Sequence, residues 1–175
     1  MANQTEPSPL PPLNRYITTH TPDGLAVLDS SVPSTATWTS AGSAKFFLGY
    51  CTSTFPAAIS NPSDIENYNK YLSAPPGLVV PGGTVLRIVD VEPGHTSPMH
   101  RTTSLDYGVV LEGEVELILD SGETKGTNHA WRNVSDKSWA RMLYVLVEAQ
   151  PIELEGGKKL GEDLGGMVGV RKSAE

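Results

Sequence analysis

Two stretches of the chain hold side chains that can move protons or bind ions. The first is GHTSPMHRTTSLDYGVVLEG, residues 94–113, with His95, His100, Thr102, Asp106 and Tyr107 ahead of a glycine turn. The second is GTNHAWRN, residues 126–133, with His129, Trp131, Arg132 and Asn133. If residues 100–110 are extended, alternation puts His100, Thr102, Ser104, Asp106, Gly108 and Val110 on one face. Arg101, Leu105, Tyr107 and Val109 take the other, so Tyr107 reads as packing. An imidazole and a carboxylate on the inner face of a strand are costly without a partner, a metal or water. If the fold brings His129 beside His100, two imidazoles and one carboxylate meet. Three outcomes are open: a metal site, a metal-free acid/base pocket, or a hydrogen-bonded structural network.

The elements that must position these groups are mostly strands. Residues 15–20 are β-rich and run into a Pro22-Asp23-Gly24 turn. Residues 45–50 form a second strand candidate. Asn61-Pro62-Ser63-Asp64-Ile65-Glu66 reads as a helix start, with Ser63 and Glu66 at capping-box spacing. That helix should span 64–72 and stop before Pro75-Pro76-Gly77. Strands follow at 84–91, 105–111 and 115–119, with turns at Gly113 and Ser121-Gly122. Residues 140–147, ARMLYVLV, are nearly continuous apolar, as in a strand covered on both faces. Short strands at turn-marked spacing indicate an all-β barrel or sandwich. Residues 1–13, rich in proline and polar residues, are expected to be a flexible N-terminal segment. One domain should cover 14–155, with its barrel core at 78–150, and 156–175 should form a glycine-rich surface tail.

Composition narrows the function. The chain has 175 residues and 18.7 kDa, enough for one domain without a disulfide or metal to hold it. The lone Cys51 forbids an intramolecular disulfide, fits a reducing compartment and reads as a small buried hydrophobe. A net charge of -7 argues against nucleic acid as a partner. The first 16 residues lack the basic and apolar regions of a signal peptide. No apolar run approaches the roughly 20 residues that span a bilayer. The expected setting is cytoplasmic, with no membrane and no nucleic acid.

The two motifs resemble those of the cupin superfamily of small β-barrels. Its first motif, G-x5-H-x-H-x3-4-E-x6-G, is matched in spacing by Gly94, His100, Thr102, Asp106 and Gly113. Its second ends G-x2-H-x3-N, matched by Gly126, His129 and Asn133. The wording MHRTTSLDYGVVLEGEVEL with GTNHAWRN is similar to small single-domain cupins of bacteria and fungi. Several of these sit in fungal polyketide clusters and are described as cupin-domain oxidoreductases. The resemblance extends over most of the chain, including PPGLVVPGGTVLRIVD.

The resemblance implies an all-β cupin barrel (jelly roll) with an N-terminal extension holding one short helix. It implies a small-molecule enzyme of secondary metabolism acting on an aromatic or polyketide-like intermediate, with a metal-dependent oxidoreductase as the form suggested. It also implies a homodimer. Typical members bind metal through three His and one Glu. Here Thr102 stands where the second His belongs and Asp106 where Glu belongs. That leaves His100, Asp106 and His129, the composition of a two-His-one-carboxylate triad for non-haem iron; the cofactor implied is one divalent ion, Fe, Mn, Ni or Zn, or none. Asp is one methylene shorter than Glu, about 1.5 Å, so a metal would sit nearer that strand or be absent. Members also carry about a dozen more residues between the DSGE turn and the second motif, and loss of that hairpin leaves a barrel with an open edge.

Two further functions stay open beside the oxidoreductase. One is a metal-independent lyase, isomerase or cyclase in which His100 or His129 moves protons. The other is a non-catalytic binding cupin. Thr102 and Trp131 are the candidate pocket walls. His95 reads as a surface loop residue, and Arg132 and Arg141 as solvated charge rather than substrate ligands.

Overall fold

β-branched and aromatic residues crowd the stretches that form strands, as their fit to a pleated surface requires. The computed structural model describes residues 4–59, 63–121 and 128–173. The elements begin with β1 (Gln4–Thr5), β2 (Thr18–His20), β3 (Ala26–Leu28), β4 (Trp38–Ala41), β5 (Ala44–Cys51) and α1 (Ser63–Ser73). β6 (Thr84–Val91), β7 (Ser104–Glu112), β8 (Val115–Leu119) and β9 (His129–Asn133) follow. β10 (Ala140–Glu148), β11 (Ile152–Glu153) and β12 (Lys159–Leu160) complete the described set. The fold is all-β and barrel-like, with one short helix among the described residues. No helix of the described residues is long and apolar enough to cross a membrane.

Six antiparallel strands make the main sheet, in the order β1-β4-β5-β6-β10-β7. β8 and β9 form a second, two-stranded layer. The backbone at 96–101 extends that layer, bridging Thr96 to Arg132 and His100 to His129. A cavity lies between the two layers.

β6 and β10 are covered on both faces, which is why their sequences are nearly continuous apolar. On the inner face Val85 and Leu146 join Tyr68, Leu78 and Val79 in the larger core. On the outer face Ile88 packs with Trp38 and Phe47, and Leu13, Ala36 and Leu143 lean on them. The same outer face holds a buried ion pair. Arg141 donates from Nε and Nη2 to Asp90 at 2.6 Å each, and Ser8 Oγ donates to the same carboxylate. α1 buries Ile65 and Tyr68; Asp64 and Glu66 in its first turn and Lys70 in its last suit the helix dipole. It stops at Ser73, just ahead of Pro75-Pro76, as proline chemistry requires. The expected helix start at Asn61-Pro62 lies outside the described residues, as do Gly122 and Gly126.

Three expectations need correction. Residues 4–13 of the segment expected to be flexible are tied down. β1 pairs with β4, Arg141 Nη1 donates to Pro11 O at 2.7 Å, and Lys45 Nζ donates to Glu6 O at 2.7 Å. Prolines lack N–H groups but still offer carbonyls: Arg141 takes that of Pro11, and Lys45 takes that of Pro7 at 3.1 Å beside Glu6. The glycine-rich tail is not merely surface. Its Leu164 is buried, Met167 and Val170 pack on the larger core, and Arg101 pairs its backbone with Asp163. Tyr107 does not pack: it is 59 % exposed, with Leu105 at 56 % and Val109 at 51 %. Among the described residues β7 pairs only with β10, which leaves its other edge without a partner strand there.

Candidate active site

His100 and His129 are cross-strand neighbours. Each backbone N–H donates to the other's carbonyl at 2.8 Å, and the ring centroids lie 4.4 Å apart. The ladder therefore fixes the pair, with no reliance on side-chain luck. His100 is buried and its Nδ1 lies 2.9 Å from Pro98 O. A proton on Nδ1 satisfies that carbonyl and leaves Nε2 as the basic nitrogen of the neutral ring. Burial pushes the His100 pKa below its ordinary 6.5, against an upward pull from the Pro98 carbonyl. The His129 imidazole adds to the lowering, and the Asp106 carboxylate opposes it.

Asp106 lies on the inner face of β7 and lines the same cavity. Thr102 Oγ1 donates to its carboxylate at 3.3 Å and Ser104 Oγ donates to the other oxygen. His100, Thr102 and Asp106 all line the cavity, but not from the single strand expected over 100–110: β7 begins at Ser104, and His100 bridges to β9 in the other layer. Trp131, two residues along β9 from His129, meets that ring edge-on at 5.8 Å and Tyr144 at 5.9 Å. Among the described residues no group of three or more His, Cys, Asp or Glu is placed to hold a metal ion. The donor set does not close around a metal in this arrangement.

The cavity holds about 280 Å³. Its lining is largely apolar and aromatic, including Phe46, Trp131 and Leu146. His95, read as a loop residue, also lines it, because Asn133 N–H donates to His95 O at 2.9 Å and draws that loop against β9. Met167, Val168 and Val170 of the tail form another wall. Asn133, the last residue of the second motif, is structural: its buried amide donates to Val91 O, Glu92 O and Ser138 O.

Of the arginines weighed from sequence, neither reaches the cavity. Arg132 is half-exposed and pairs with Glu116 at 3.5 Å, and Arg141 faces the outer side of the sheet. The arginine that does line it is Arg87 of β6, with Tyr144 of β10 as its cross-strand partner. Parity held the signal: Arg87 shares the inner face with Val85 and Val89 in an otherwise apolar run. Cys51 is buried in the larger core and its thiol is pushed up to about 12, mainly by burial, which leaves it inert.

No family model matches the chain. Curated relatives do. It is 49% identical to phomopsin biosynthesis cluster protein D of Diaporthe leptostromiformis, over 90% of this chain and 87% of the relative. It is 40% identical to oryzines biosynthesis cluster protein J of Aspergillus oryzae, over 89% and 93%. It is 35% identical to the cupin-domain-containing oxidoreductase srdB of Neurospora crassa, over 86% and 81%. Motif spacing, barrel-like sheets and these matches agree: the chain belongs to the cupin-domain proteins of fungal secondary-metabolite biosynthesis.

Proposed function

We propose that the chain is an enzyme of secondary metabolism that transfers protons on a small, ring-bearing molecule held between its two layers. The observation that supports this reading is the imidazole pair His100 and His129, 4.4 Å apart against an apolar cavity of about 280 Å³. That volume is at the small end for ligand pockets, about 300–1,000 Å³, and suits a molecule of one or two rings. His100 is the base. Its lowered pKa keeps it neutral at pH 7, with Nε2 free to accept a proton. The Asp106 carboxylate stabilises the imidazolium that forms, and that same proton returns to the molecule at a second position, directly or relayed through the neighbouring His129. Trp131 stacks against the substrate ring.

A second reading is a metal-dependent oxidoreductase, with His100, His129 and Asp106 drawn together around a divalent ion. The names of the relatives favour it, cupin-domain-containing oxidoreductases of Neurospora crassa and Aspergillus ruber among them. Turnover of aromatic and polyketide-like candidates decides between them. Activity that survives chelator and is lost in His100→Ala supports proton transfer. Activity that requires reconstitution with Fe²⁺, Mn²⁺, Ni²⁺ or Zn²⁺ overturns it in favour of the oxidoreductase. Ligand binding without turnover under either condition points to a binding cupin. We read the working form as a cytoplasmic homodimer, the open edge of β7 being the surface that needs covering.

A further inference from the structure

Arg87 is a buried cation that the proposed proton transfer does not use. Only 5 % of it is exposed. Its guanidinium lies 5.1 Å from the Phe46 ring centroid, and Nη2 donates to Gly77 O at 3.0 Å. Among the described residues no carboxylate lies within 4.0 Å of it. Burial pushes its pKa down to about 10, against an upward pull from Cys51 and from the Asp106 carboxylate that lines the same cavity. A buried guanidinium with five donors and one carbonyl partner is a poor structural choice unless an anion completes it.

The surroundings repeat the pattern. A second cavity of about 820 Å³ shares Phe46, Arg87 and Val170 with the first, so Arg87 stands at their junction. The charged residues lining this second cavity are Arg15, Arg87 and Arg171; no Asp or Glu lines it among the described residues. This occurs in a chain whose net charge is -7. Arg15 Nε is, among the described residues, the one buried side-chain nitrogen or oxygen without a hydrogen-bond partner. Among the described residues the second cavity thus carries positive charge alone, while Asp106 is the one carboxylate lining the first.

We propose that Arg87 is the specificity-determining residue of the site, and that the substrate is an acid whose carboxylate it holds while the ring lies against Trp131 and the histidine pair. This rests on the cavity being the substrate site. The guanidinium presents a planar fork of donors to a carboxylate, and the low dielectric strengthens the pairing. The arginine-lined second cavity draws anions toward that junction.

Calorimetric titration at pH 7.5 with benzoate, benzyl alcohol and benzylamine tests it. The three probes share a ring and differ in the charge of one small group. Benzoate is expected to bind saturably and about tenfold or more tighter than benzyl alcohol, with benzylamine weakest. Arg87→Met should erase the benzoate preference while benzyl alcohol binds as before; Arg87→Lys should keep part of it. Thermal melts establish that each variant is folded, and the wild-type comparison stands without any variant. Absent benzoate binding, equal affinities, or a preference retained by Arg87→Met would overturn the assignment. Binding requires no turnover, so an error in the reaction leaves this result standing. Loss of turnover in His100→Ala, with benzoate and benzyl alcohol bound equally, would sink the anion assignment alone.

Discussion

Asn133 offers the sharpest test of how the second motif holds its histidine. It ends β9, four residues from His129, and is 1 % exposed. Its Nδ2 donates to Val91 O at 3.2 Å, Glu92 O at 3.1 Å and Ser138 O at 2.8 Å, and its Oδ1 accepts the Ser135 N–H at 3.1 Å. Two hydrogens serve three carbonyls, so one bond is shared. Asn133→Ala strands those carbonyls and one N–H, and water can reach only some of them. Taking about 1 kcal/mol for each of three groups left unmet gives about 3 kcal/mol. Against a total of about 5–15 kcal/mol that is large, and it lowers Tm by about 10 °C in a domain this size. Asn133→Asp keeps the shape but turns an oxygen toward three carbonyls. The buried carboxylate pKa is then raised above its unfolded value, about 3.9. A raised folded pKa means that the fold prefers the protonated form. The deficit of Asn133→Asp relative to wild type is therefore greatest at neutral pH and shrinks as pH falls toward about 4. Urea denaturation at pH 7, 5.5 and 4.5 reads both effects. An Asp variant within about 1 kcal/mol of wild type at pH 7, or a deficit that grows on acidification, would refute the reasoning.

Three more outcomes are expected. His100 has a folded pKa lowered by burial, so its contribution to stability is fully present above about pH 6.5 and lost as pH falls through the folded-state value. The wild-type urea midpoint should drop between pH 7.5 and 5.5, and His100→Gln should flatten that slope; an unchanged slope contradicts the assignment. Gly165 has φ +58°, and a Cβ there would lie 1.9 Å from Met99 O. Gly165→Ala should cost roughly 1–2 kcal/mol from the left-handed backbone alone, plus the clash, and make the tail a protease target; unaltered proteolysis would show that the tail is not anchored there. The open β7 edge should make the protein a dimer in light scattering at micromolar concentration. Tyr107→Lys with Val109→Lys should convert it to monomer, and a wild-type monomer would end the idea.

Strands with strong patterns were legible: 84–91 and 115–119 match β6 and β8 in their bounds, and the helix 64–72 lies within α1. His100, Thr102 and Asp106 do share the cavity, but the one extended strand assumed for them is divided between the 96–101 segment and β7, so parity was not what joined them. The pairing of His100 with His129 came from motif spacing, since no local rule joins residues on different strands. β4 was missed because its four residues, WTSA, are too few to show a period. Arg87 was missed because a single charge in TVLRIVDV reads as noise until its neighbours are seen. The tail was misread for the opposite reason: glycines at 165, 166 and 169 suggested looseness, whereas each takes a positive φ. Gly165 and Gly169 also let the backbone press close to Met99 and Ser40.

That tail carries a consequence for how the molecule is made. Residues 63–148 bring both histidines, the inner face of the main sheet and the buried Arg87 out of the ribosome first. The wall made by Met167, Val168 and Val170 follows later, and it is fastened to what came before by Asp163 on Arg101 and Ser173 on Val79. At about 5–20 residues per second, the interval between β10 and that wall is on the order of a second. For that interval the nascent barrel presents an apolar interior, Phe46 and Leu146 included, to water. The order of synthesis therefore makes the half-built protein a client for whatever binds exposed apolar surface. A fusion placed after the tail would lengthen that interval only if it delayed docking, whereas one placed between β10 and the tail would prolong it directly.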